Sequence, residues 1–311
     1  MTRRARAVVI AAALAVLAAG GSSAVQLSAS SSASAPERSR PLGDTELARL
    51  SYAERLLVQE CMNRQGWSYW AAPMPDPEES RTVGYVLDDI GWAQQHGYGW
   101  RYRDRAQQDG SADRNTAYHA ALPEAEQEPY GLALTGGPNA PLLSARLPSG
   151  GTVRVRTGGC EAEAQERLFG DRAAWFAADK TATNLTPLYV PKLLADPRFT
   201  EPLAAWSQCM AAAGHPAEDP GAARSDLRQR SRSLPADEAS AAEVELAVAE
   251  ARCADRTRLG RIGRELEDEY RNGLGERYSQ VLAGYEKLQR TALERAAEII
   301  LRHGDGTPQP R

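Results

Sequence analysis

Lysine is nearly missing from this chain. Of its 37 basic residues only Lys180, Lys192 and Lys287 are lysines. With Ala in excess, the arginine bias reads as the codon usage of a GC-rich genome and carries no functional signal. A surplus of positive charge is missing too. Against 41 acidic residues the formal charge is −4 and the pI about 5.7, which excludes a nucleic-acid partner held by bulk positive charge. Aromatic residues make up 6% and Ala supplies much of the apolar count, so Ala-rich helices are the expected architecture. No C-x-x-C pair occurs, which leaves a zinc ribbon and a thioredoxin-type redox motif unsupported. His96, His119, His215 and His303 show neither H-E-x-x-H nor H-x-H spacing. G-x-S-x-G, S-x-x-K, the P-loop and G-x-G-x-x-G are all lacking. The sequence therefore suggests no catalytic residue, metal ligand or cofactor.

A long apolar run is also lacking. The stretch from Ala7 to Ala19 falls short of the roughly 20 residues that a bilayer-spanning helix needs. It follows the basic head Thr2-Arg3-Arg4-Ala5-Arg6 and leads into Gly20-Gly21-Ser22-Ser23-Ala24, the pattern of a signal peptide cleaved after Ala24. Export by the general secretory route is expected, to the medium or the outer face of the envelope, with retention by an uncleaved N-terminal anchor as the alternative. Loss of Arg3, Arg4 and Arg6 makes the remainder more acidic still. No cysteine precedes Cys61, so a lipoprotein anchor is not expected. Residues 25–42 read as a flexible Ser/Ala/Pro tether and 304–311 as a disordered tail. A folded helical domain is left at 43–303.

Four cysteines, Cys61, Cys160, Cys209 and Cys253, stand in what reads as an exported chain, so two structural disulfides are expected. An internal repeat selects a pairing. Cys61-Met62, three residues, then Gly66-Trp67 is matched by Cys209-Met210, three residues, then Gly214-His215. Each segment reads as a helix ended by a left-handed glycine, begun by the Ser51–Glu54 capping box or by Thr200-Glu201-Pro202. Each is followed by one further helical cysteine. The economical pairing is therefore Cys61–Cys160 and Cys209–Cys253, with two candidate units, 43–180 and 181–303.

Between Cys61 and Cys160 the texture changes. Eight of the twenty aromatic residues fall between Trp67 and Tyr102, among prolines and glycines and without regular periodicity, so a folded loop is expected. Its candidate ligand-binding aromatics are Trp70, Trp92, Tyr98 and Trp100. The carboxylates Asp76, Glu78, Glu79, Asp88 and Asp89 are the only candidates for an acid–base pair, and His96 is the one histidine beside them. Leu142–Leu147 and Thr152–Arg156, joined by Pro148-Ser149-Gly150-Gly151, read as a β-hairpin with one apolar and one solvated face. Pro220 to Ser233 reads as a linker. Ala236 to Arg271 and Gly275 to Arg302 read as a long C-terminal helical hairpin, with an apolar stripe from Tyr278 to Ile299. The fold class is mainly α with a small β-hairpin.

In order and spacing, Cys61–Trp67, Gly97–Trp100, Pro148–Gly151, Gly159-Cys160, Trp206–His215 and Ala249–Cys253 resemble a family of exported proteins and lipoproteins of Streptomyces-type actinobacteria. The resemblance spans about residues 45–300. It implies the four-cysteine helical framework and no activity, so no catalytic role carries over. The expected function is a non-catalytic extracellular or cell-envelope binding or structural protein, with a cell-wall polymer or an envelope protein as partner. The alternatives are a glycan or peptide binder acting through residues 67–102 and a hydrolase using carboxylates of 76–89.

Overall fold

Residues 41–111 and 114–303 are described in the computed structural model; the expected signal peptide, all but the end of the tether, and the tail lie outside them. Among the described residues, fourteen helices and one β-hairpin follow in order: α1 (Asp44–Arg64), α2 (Pro77–Ser80), α3 (Ile90–His96), α4 (Trp100–Ser111), α5 (Arg114–Ala121), α6 (Glu124–Thr135), β1 (Leu142–Arg146), β2 (Thr152–Arg156), α7 (Gly159–Phe169) and α8 (Arg172–Ala182). The chain continues through α9 (Thr186–Leu194), α10 (Pro197–Ala212), α11 (Pro220–Ser231), α12 (Ala236–Thr257), α13 (Leu259–Asn272) and α14 (Glu276–His303). The protein is mainly α with a small β-hairpin.

Both disulfides form as the repeat suggested, Cys61–Cys160 and Cys209–Cys253, with Cα–Cα distances of 5.5 and 5.7 Å. The repeat also closes its two helices identically. Trp67 N–H donates to Met62 O and Gly66 N–H to Asn63 O; His215 N–H donates to Met210 O and Gly214 N–H to Ala211 O. Both glycines are left-handed, with φ of 87° and 88°, completing a Schellman motif at each end. The helix starts differ from expectation. α1 begins seven residues before Ser51, where the Glu46 carboxylate accepts from Gly43 N–H at 2.8 Å. α10 begins at Pro197, because the Asp196 side chain accepts from Arg198 N–H at 2.8 Å, and Pro202 lies inside it. Local capping chemistry further upstream takes over in both cases.

Two more expectations are corrected. The segment read as a linker is α11: Asp219 caps it, Pro220 opens it, and Ala223 and Leu227 bury one face. The long helix read through to Arg271 breaks at Arg258, which adopts φ 58° and redirects the chain so that Leu259 and Leu266 enter the core. Nor do the last helices form a hairpin with one another. The long helix α14 lies against α1, α7 and α8.

The buried apolar side chains form two cores within one compact body. The first surrounds Cys61–Cys160 and joins Leu57 and Met62 of α1, Leu168 of α7, and Ala292, Ala296 and Ile299 of α14. The second surrounds Cys209–Cys253 and joins Trp206 and Met210 of α10, Ala247 and Ala251 of α12, and Leu259 of α13. Neither follows the chain boundary near residue 180. Val86, Leu87, Trp92, Tyr98 and Trp100, from the first half, sit in the second core, while α14, from the end, completes the first.

Candidate functional site

The aromatic region is not wholly a loop: α2 and α3 lie inside it, and Trp100 opens α4. It is held from below by two carboxylates of α12, seven residues apart and so on one helix face. Glu250 is completely buried. One of its oxygens accepts from Leu87 N–H at 2.7 Å, the other from Tyr98 O–H at 2.7 Å. Arg224 closes the group with a two-pronged ion pair and donates to Gly84 O at 3.2 Å. Glu243 accepts from Tyr98 N–H and Trp100 N–H at 2.8 and 3.0 Å. Gly97 is required above it, since it has φ 60° and a Cβ there would meet the Glu243 Cγ at 2.8 Å. Burial holds the Glu243 carboxyl above the usual carboxylate range, and burial beside Glu250 pushes the Tyr98 phenol strongly upward.

This anchoring settles where the candidate aromatics lie. Trp92, Tyr98 and Trp100 are 8%, 1% and 7% exposed and belong to the second core; Trp70 is half-buried. Each ring carries an arginine over it: Arg114 over Trp70, Arg81 over Trp92, Arg224 over Tyr98 and Arg228 over Trp100, at 3.9, 4.4, 5.1 and 4.4 Å from the centroids. A sugar-stacking platform needs an exposed ring face, and three of these four have none.

The candidate carboxylates are dispersed in the same way. Asp76 and Asp89 cap α2 and α3; the hydrogen bond from Trp92 N–H, and after it the ion pair with Arg81 at 2.9 Å, hold the Asp89 carboxyl below the usual range. Glu78 faces His96 Nε2 at 3.6 Å. His96 Nδ1 lies 2.8 Å from the Tyr102 hydroxyl and 3.0 Å from Arg101 Nη2. Asp88 pairs with Arg264 at 2.7 Å. The side chain of Glu79 lies outside the described residues. Of the four that are described, only Asp88 borders the cleft between residues 81–88, α9 and α13, so they assemble no acid–base pair there.

That cleft has a volume of about 510 Å³. One wall is the segment 81–88; the others are α9, Phe199 and α13. Leu193, Phe199 and Leu259 form a buried apolar floor, while Tyr85 and Leu194 are 45% and 42% exposed at the mouth. On the α13 side Gly260 lets the Asp88 side chain lie against the helix, where a Cβ would collide with its carboxylate, and a Cβ on Gly263 would come into ordinary contact with the Phe199 ring at 3.6 Å. The rim is polar. Besides Asp88–Arg264, the Tyr189 hydroxyl donates to Glu267 at 2.8 Å, and burial together with that carboxylate pushes the Tyr189 phenol up to about 12. Among the described residues, the backbone groups of Val83, Tyr85 and Val86 make no hydrogen bond.

Sequence reasoning missed this cleft because the 81–88 wall lies more than 100 residues before the α9 and α13 walls in the chain. The available signals were the apolar run Val83-Gly84-Tyr85-Val86-Leu87 and the two glycines three residues apart on α13. Comparison with known protein families, with curated proteins and with solved structures gives no match.

Proposed function

We propose that the protein is a non-catalytic binding protein exported to the cell envelope, and that its ligand is an extended, apolar peptide segment lying in the cleft beside residues 81–88. The observation that carries this reading is the combination of an apolar floor with unspent backbone donors and acceptors along one wall. Apolar pockets fix affinity for side chains, and free main-chain groups fix an extended backbone. The volume lies within the range of about 300–1,000 Å³ typical of ligand sites. Two disulfides suit an oxidising compartment, and no described helix is long and apolar enough to cross a membrane.

The test is NMR titration of the labelled protein with short apolar peptides and, in parallel, with soluble peptidoglycan fragments. The expected result is shifts at the amides of Val83, Tyr85 and Val86 with peptide, abolished in Gly263→Phe, whose side chain fills the cleft. Shifts confined to residues outside the cleft, or none with any peptide, refute the reading.

A further inference from the structure

The β-hairpin presents a face that neither core uses. From Pro129 to Cys160 there is no Asp or Glu, although the chain holds 41 acidic residues. The only charged side chains in that stretch are Arg146, Arg154 and Arg156. Strand register brings them to one side. Leu142 pairs with Arg156, Ser144 with Arg154, and Arg146 with Thr152. All six of these residues are exposed, while Leu143, Ala145, Val153 and Val155 turn inward, where α8 packs against β1. The scaffold under the arginines is fixed at its base. Thr157 N–H donates to Pro141 O at 2.9 Å, and the Arg172 guanidinium donates to Arg156 O at 2.9 Å.

Arg154 and Arg156, two residues apart on one strand, stand about 6.8 Å from each other. Arg146 lies diagonally across from Arg154, about 7–8 Å away. None of the three guanidinium groups has an ion pair or hydrogen bond among the described residues. The result is a narrow, solvent-facing cationic ribbon without ion pairs among the described residues, on a protein whose overall charge is negative.

We propose that this ribbon docks a linear phosphodiester polymer, one phosphate to each guanidinium. The guanidinium fork matches phosphate oxygens in two-pronged geometry. An exposed ribbon with charges repeated along a strand suits an extended chain better than a small anion, which needs a concave site. A lipid surface fits less well, because the turn at Pro148–Gly151 carries no large apolar side chain to insert and the exposed Leu142 lies at the opposite end. The net negative charge opposes duplex nucleic acid, which is attracted by summed positive charge over a larger area. The inference is independent of the cleft and stands or falls apart from it.

The experiment measures binding of the full oxidised chain to fluorescent poly(glycerol phosphate), with neutral dextran as control. Three phosphate contacts predict a slope of about −2 in log affinity against log salt, or roughly 15-fold weaker binding from 50 to 200 mM salt. Replacing Arg146, Arg154 and Arg156 by Gln together is expected to abolish that slope and weaken binding at least tenfold. Replacing the exposed Arg252, Arg256 and Arg261 by Gln removes the same charge elsewhere and is expected to leave both nearly unchanged. Equal losses in the two triple variants would reduce the effect to bulk charge and overturn the proposal. So would unchanged polymer binding in the ribbon variant accompanied by aggregation, which would make the arginines guards of an open sheet edge. Tighter binding to phosphatidylglycerol vesicles, or to single-stranded oligothymidylate, than to the polymer would also overturn it.

Discussion

The two disulfide cores start from the same local design and solve different problems. Each has a Cys-Met helix closed by a left-handed glycine, with Met62 and Met210 fully buried beside the bridge. Around Cys61–Cys160 the partners are helices, and packing follows from apolar spacing: Ala292 and Ala296 let α14 approach α1 closely, and Tyr285 stacks on Trp175 at 5.2 Å. Around Cys209–Cys253 much of the cover is irregular chain. Its backbone polar groups have no helical ladder to join, so buried carboxylates replace the ladder: Glu250 and Glu243 take the N–H groups of Leu87, Tyr98 and Trp100. An irregular segment can enter a core when a neighbouring helix supplies its acceptors.

Removing the bridges one at a time compares the two regions most directly. Each lost bridge is expected to cost about 4–5 kcal/mol by the chain-entropy model, and the longer Cys61–Cys160 loop about 0.7 kcal/mol more than the Cys209–Cys253 loop. Denaturant titration of the two double Cys→Ala variants measures both figures. A reversed order would mean that native packing, rather than loop length, governs the difference. Glu250→Ala is expected to cost about 3–5 kcal/mol, since it strands the part-buried Arg224 and leaves Leu87 N–H and Tyr98 O–H without an acceptor. Hydrogen exchange in this variant should rise at residues 84–100 while α1 and α7 stay protected. Uniform loss of protection would show that the two cores unfold as one.

The smallest effect expected is at Glu54 in the first region, whose carboxyl is held above its ordinary value by burial. A folded-state pKa raised above the unfolded one means that the folded form holds its proton more tightly. Stability contributed by this group therefore increases as pH falls through the raised pKa, and ionisation at neutral pH costs stability. Glu54→Gln should stabilise at pH 7 by no more than about 1 kcal/mol, and the gain should vanish in acid as the native Glu54 protonates. Melting curves of the two proteins across that range check the sign.

Most of the longer helices, the β-hairpin, both glycine closures and the cysteine pairing were legible because they rest on local spacing or on a repeat, whereas α11 and the short helices inside 77–111 were not. Helix starts were less so. Gly43–Glu46 and Asp196 are weaker signals than the Ser-x-x-Glu and Thr-Glu-Pro patterns that compete with them, and burial of Leu50 and Phe199 extends both helices past those patterns. The break at Arg258 has no signature at all, because a non-glycine residue enters the left-handed region there only under tertiary constraint. At the candidate site, the residues of 67–102 stood out by composition, yet their roles were hidden. Whether a tryptophan meets solvent or a core depends on a helix that lies about 150 residues later.

By itself, then, the sequence decided the helical class, the covalent framework and the two glycine-closed helix ends, since these follow from interactions within a few turns of chain or from an internal repeat. Tertiary structure alone decided which core each segment joined, which rings were covered by arginine, and which walls met to form the cleft. Those outcomes depend on burying polar groups only where a distant partner satisfies them, and Glu250 meeting Leu87 and Tyr98 from across the molecule is such a case.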